Sequence, residues 1–110
     1  MTAAPEIADL VAGKLPEIAA LCRRHGVRRL DLFGSAVRGR FDPTRSDLDF
    51  LVDFEETPTG SYSRAYWDLR EGLEVLFDRP IDLLTDPGIR NPYLRRQIEF
   101  EKQTIYLSRR

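Results

Sequence analysis

The sequence predicts an α/β (α+β) fold, a small mixed β-sheet with helices packed on one face. Three observations lead there. Residues 47–54, DLDFLVDF, alternate apolar and acidic side chains with the two-residue period of a strand. Residues 61–77 place Tyr62, Tyr66, Leu69, Leu73 and Leu76 at helical spacing. The predicted elements then run helix, strand, turn, strand, helix, strand, helix. A length of 110 residues is expected to form one domain, residues 1–110, with one modest core.

Taken in order, Pro5 opens a short helix, EIADLVA, that ends near Gly13. Pro16 suits the first turn of a second helix, PEIAALCRRH, stopped by Gly26. One continuous helix would carry Pro16 in its interior, at a cost of ~3 kcal/mol. Ile18, Leu21 and Cys22 form the predicted buried stripe. Residues 27–33 read as a strand, with Val27, Leu30 and Leu32 set against Arg29 and Asp31. Gly34 ends it, and the polar segment 40–45 with Pro43 is a loop. In the strand at 47–54, Leu48, Phe50, Val52 and Phe54 share one face, and Asp47, Asp49, Leu51 and Asp53 share the other. Pro58 and Gly60 mark a connector before the long helix, which Gly72 weakens. Asp78-Arg79-Pro80 turns into a third strand at 81–85, and Asp86-Pro87-Gly88 is a turn. Asn91 caps a last helix starting at Pro92. Residues 104–107 are a short strand or an extended tail.

Composition excludes several classes of protein. The charges nearly cancel, 17 Lys+Arg against 18 Asp+Glu, so no general attraction to nucleic acid or membrane is expected. No apolar run is long enough to span a bilayer, and residues 1–15 lack the pattern of a signal peptide. Cys22 is the sole cysteine, which rules out an intramolecular disulfide and argues against a cysteine-built metal site. A cytoplasmic location is the expectation.

Chemistry concentrates in residues 34–54. Asp47 and Asp49 point to one strand face with Cα atoms about 6.5–7 Å apart. Two such carboxylates repel unless a cation stands between them, and a hard ion such as Mg²⁺ prefers oxygen ligands and accompanies phosphates. Ser46 can donate a hydroxyl to a phosphate oxygen. Gly34 lets the backbone approach a ligand closely, Ser35 can present its amide and hydroxyl to an anion, and Arg38 adds a charged fork. If the strand at 81–85 lies beside that at 47–54, Asp82 joins the pair. Three carboxylates and a triphosphate suffice for two metal ions about 3.5–4 Å apart, and the third carboxylate can act as general base. Alternating aspartates also occur on merely solvated strand faces, which is the reading for Asp53. The strand, Gly-Ser turn, D-x-D strand and later strand aspartate are specific as an ordered set.

At these residues the chain resembles the nucleotidyltransferase superfamily, and within it the minimal nucleotidyltransferases (MNT). The carriers are Leu32-Phe33-Gly34-Ser35, Arg38-Gly39 and Ser46-Asp47-Leu48-Asp49, followed by RPIDLLT at 79–85 and RNPYLRRQI at 90–98. Val37 stands where alanine is usual. The resemblance implies a polymerase-beta-like nucleotidyltransferase core. It implies Gly34, Ser35, Arg38 and Ser46 at the nucleotide, and Asp47, Asp49 and Asp82 at one or two Mg²⁺ ions. It also implies ATP as substrate and a HEPN-domain toxin as partner in a hetero-oligomer. Transfer of AMP to a toxin tyrosine would neutralise the toxin. The competing reading is an antitoxin that neutralises by contact alone. Transfer to a small molecule ranks lowest, since that normally needs an added acceptor domain.

Elsewhere the readings are structural. His25 sits at a helix end, Cys22 in the core, and Trp67 beside the apolar stripe as an interface candidate. Arg95, Arg96, Arg109 and Arg110 make the C-terminal end basic, which reads as a solvated surface, with an acidic patch on a partner as the functional alternative.

Overall fold

The computed structural model describes residues 8–37, 47–56 and 61–109. Among them the elements are α1 (Asp9–Ala12), α2 (Leu15–Arg24), β1 (Val27–Phe33), β2 (Leu48–Phe54), α3 (Ser63–Phe77), β3 (Ile81–Thr85), α4 (Pro92–Glu101) and β4 (Gln103–Leu107). Single 3₁₀ turns at Gly34–Ala36 and Asp86–Gly88 complete the order. The predicted strands and helices are all present within a residue or two where they fall on described positions. The stretch at 104–107, open between strand and tail, is the strand β4.

The sheet order is β3-β2-β1-β4. β1 runs antiparallel to both β2 and β4, while β2 and β3 are parallel. A parallel pair needs a crossover, and α3 provides it. The pairing of β1 with β2 slips between Val27 and Arg29. This bulge lets Val27, Leu30 and Leu32 face one way despite their uneven spacing.

That face carries the main core. Leu48, Phe50, Val52 and Phe54 of β2 all point into it, as their alternation predicts, and meet Ile18 and Cys22 of α2 and Leu69, Leu73 and Phe77 of α3. Gly72 of α3 passes close to α2, where a Cβ would stand 2.8 Å from Leu21 Cδ2. Gly26, at φ +68°, reverses the chain between α2 and β1 in a conformation that favours glycine. Along the β3 edge, Tyr66 donates its hydroxyl to the Leu83 carbonyl at 2.6 Å, and Arg70 Nε reaches the Ile81 carbonyl at 3.4 Å. These bonds occupy acceptors that an edge strand would leave open.

The one-face packing predicted for the helices holds for α1, α2 and α3. A second, smaller cluster lies on the opposite face, where Ile98 of α4 packs with Phe33, Leu51 and Ile89. Asn91 caps α4, its Oδ1 accepting from the Tyr93 amide at 2.9 Å. Arg95 ties the same end down through Asp86 Oδ1 at 2.6 Å and the Ile89 carbonyl at 2.8 Å.

Asp31 is the one polar side chain buried among the described residues, at 2% exposure. It lies on the second face and accepts from Thr104 of β4 at 2.7 Å and from Arg29 at 3.0 Å, with Lys102 Nζ 3.8 Å away. A buried carboxylate is tolerated only with such partners, so this group fastens β4 to β1. Among the described residues no helix is long and apolar enough to cross a membrane.

Burial pushes the Cys22 thiol up to about 12. The folded protein therefore favours the neutral thiol. That contribution is fully present below the unfolded thiol's value of about 8.5 and is lost as pH rises toward 12. Cys22 is expected to resist Ellman's reagent at pH 8 in the native protein and to react at once in denaturant. Rapid labelling of the native protein would contradict this packing.

Candidate active site

β1 delivers the chain to the site and β2 supplies its first carboxylate. Phe33 stands opposite Asp49 in the β1–β2 register. The next residue, Gly34, adopts φ +77° and opens the 3₁₀ turn that contains Ser35. A side chain there would be strained, and it would have nowhere to go. A Cβ on Gly34 would lie 2.2 Å from Asp49 Oδ2. Glycine at this position is what lets the turn close over the aspartate.

The parallel pairing brings in the second carboxylate. Asp49 and Asp82 are register partners on β2 and β3, so their Cα atoms are about 4.8 Å apart. Both project from the sheet face opposite the main core. Asp49 is half-buried and Asp82 exposed. Asp47 sits just ahead of β2 and is exposed. Arg38 and Ser46 lie outside the described residues.

The two in-register aspartates give an oxygen-only donor set. Among the described residues no group of three His, Cys, Asp or Glu side chains is arranged to hold a metal ion as it stands. The site is thus a carboxylate pair with a third aspartate at its margin. Such a pair fits Mg²⁺, which is typically held by one or two carboxylates together with substrate phosphates.

Sequence reasoning missed Glu101. Its Oε1 accepts the Gly34 amide at 2.9 Å, across 67 positions of the chain. The amide of Gly34 is therefore engaged within the protein. No local pattern announces this contact. It follows only from how β4 and α4 return to β1.

Asp53, read as a solvated strand residue, pairs at the surface with Arg28. His25 is the C-cap residue of α2, its backbone N–H donating to the Leu21 carbonyl at 3.1 Å. Trp67 is largely exposed, edge-on to Tyr66 and beneath Arg70.

Comparison with known proteins bears on this arrangement. Residues 18–105 match the nucleotidyltransferase domain family. A protein of Methanocaldococcus jannaschii, provisionally named a protein adenylyltransferase, is 37% identical over 93 residues, covering 77% of this chain and 91% of its own. A solved structure provisionally described as a minimal nucleotidyltransferase superposes with a TM-score of 0.71 at 34% identity, covering 86% of this chain and 92% of that one. A Shewanella oneidensis assembly of a tri-AMPylated HEPN toxin with an MNT antitoxin gives a TM-score of 0.60 at 21% identity, covering 88% of this chain and 72% of the matched one. That last likeness is one of fold.

Gly34→Ala tests the close approach. The left-handed backbone should cost about 1–2 kcal/mol, and the new methyl should turn the Asp49 carboxylate out of its position. Urea denaturation reads the first effect and a crystal structure the second. A variant as stable as the parent, with Asp49 unmoved, would contradict the geometry.

Proposed function

Because the chain belongs to the nucleotidyltransferase domain family, we propose that it transfers AMP from ATP to a tyrosine hydroxyl of a cognate HEPN-domain toxin and thereby neutralises it. The observation that carries this reading is the in-register pair Asp49 and Asp82, with the Gly34 turn closed over Asp49. The Methanocaldococcus jannaschii relative carries the provisional name of a protein adenylyltransferase, which supports AMP transfer to a protein. The Shewanella oneidensis assembly, in which the HEPN toxin is AMPylated, supports the choice of acceptor.

In this reading Asp49 and Asp82 would hold Mg²⁺, with Asp47 adding a third carboxylate from the start of β2. When bound, the ion offsets phosphate charge, including that of the departing pyrophosphate. The turn at Gly34 and Ser35 fixes the triphosphate, and Arg38 and Ser46 add donors to it. The acceptor hydroxyl approaches from solvent on the exposed side of Asp82. Its oxygen bonds to the α-phosphorus as the bond to pyrophosphate breaks, and its proton passes to a carboxylate. The products are the AMP ester of the toxin and pyrophosphate. Positioning and charge neutralisation supply most of the rate. The reading gives the protein a toxin-bound state and a place beside its toxin in the cytoplasm.

A second reading, neutralisation by contact alone, draws on two features. The Gly34 amide is already engaged, and among the described residues no three-carboxylate cluster stands ready. The two readings separate in one experiment with labelled ATP, Mg²⁺ and the purified toxin. Label should enter the toxin, and Asp49→Asn or Asp82→Asn should lower the rate by ~10²- to 10⁴-fold. Full toxin inhibition in EDTA with no label transferred would favour contact alone and overturn the enzymatic reading.

A further inference from the structure

We propose that Glu101 is a positioning residue for the phosphate-binding turn, acting through its hydrogen bond to the Gly34 amide. The inference deepens the function proposed above and rests on it for its kinetic consequence.

The β1–β4 register explains why a side chain is needed. Asp31 pairs with Thr104 and Leu32 with Gln103. Extended by two residues beyond its end, that register would set Gly34 opposite Glu101. Glu101 is the last residue of α4, so its main chain follows the helix and leaves the ladder. Gly34 is buried, and a buried amide without an acceptor is costly. The Glu101 carboxylate supplies that acceptor at 2.9 Å. In effect it extends the sheet by one more bond.

The bond fixes Gly34 through its N–H. Asp49 Oδ2 stands 2.2 Å from where a Cβ would be. Gly34 is thus held between two carboxylates, one touching its Cα face and the other taking its N–H. The orientation of Ser35 and of the turn that follows depends on this grip.

Glu101 is itself firmly placed. Ile98, one turn earlier on α4, is 1% exposed against Phe33. The next residue, Lys102, donates its amide to the Ile98 carbonyl at 2.8 Å and extends its amine toward Asp31. The far end of α4 is held by the Asn91 cap and by Arg95. A helix pinned at both ends can orient one carboxylate accurately.

It follows that the Gly34 N–H belongs to the frame. What Gly34 offers a nucleotide is close approach of its backbone, and Ser35 is the first residue of the turn whose donors can serve the phosphates.

Two conservative variants separate geometry from charge. Glu101→Gln keeps the reach and the acceptor but loses the charge. Glu101→Asp keeps the charge but is one methylene too short. Positioning predicts that Glu101→Asp raises the KM for ATP roughly tenfold with little change in kcat, and that Glu101→Gln stays near the parent. Exchange of the Gly34 amide, followed by NMR without nucleotide, should accelerate roughly tenfold or more in Glu101→Asp and stay slow in Glu101→Gln. Equal losses in both variants, or a normal Glu101→Asp, would overturn the assignment. Should Glu101→Asp fail to fold, a tenfold rise in KM in folded Glu101→Gln would overturn it as well. If the parent protein does not bind ATP, the proposed function fails, and the exchange measurement still decides the role of Glu101.

Discussion

The parallel pairing of β2 with β3 is the constraint on which the rest of the structure depends. It sets Asp49 beside Asp82, and a parallel neighbour can be reached only by a crossover. α3 is that crossover, and its apolar stripe must then lie on the sheet. Leu69, Leu73 and Phe77 do so, against Phe50 and its neighbours on β2. The acidic residues are left to the opposite face by the two-residue period of the strand. A shift of one residue in register would send Asp49 into the core and Phe50 into solvent. Core packing and the carboxylate pair are therefore fixed by the same alignment.

The second face is not simply solvent-exposed. At one end it is covered by Ile98, Ile89 and Leu84 around Phe33 and Leu51. Between that cluster and β4 lies the buried Asp31 with Thr104, Arg29 and Lys102. These contacts bring the C-terminal part of the described chain back against β1. They place Glu101 at the end of the strand from which the site is built, so the fastening of β4 and the geometry of the Gly34 turn are parts of one arrangement.

Much of this was legible in the sequence because the signals are local. The alternation at 47–54 predicted which side chains of β2 enter the core. The PIDLLT strand predicted Asp82 as a candidate partner, and Asn91-Pro92 predicted a capped helix that the structure confirms. Less legible were features created by contacts distant along the chain. β4 has no buried residue to declare it as a strand, and it is defined by pairing with β1. Ile98 lies on the second sheet face, which helical periodicity cannot specify. Glu101 resembles any surface glutamate at a helix end until β4 is placed beside β1. Among the candidate site residues, Gly34, Asp49 and Asp82 are brought together, with Asp47 at the margin of the pair.

The central claim is that Asp49 and Asp82 form the working pair beneath the Gly34–Ser35 turn. Its most direct test is a crystal structure with a non-hydrolysable ATP analogue and Mn²⁺, which marks the metal by anomalous scattering. The account predicts metal density between the Asp49 and Asp82 carboxylates, with the triphosphate against Gly34 and Ser35. Metal held by neither carboxylate, or a nucleotide bound away from that turn, would contradict it.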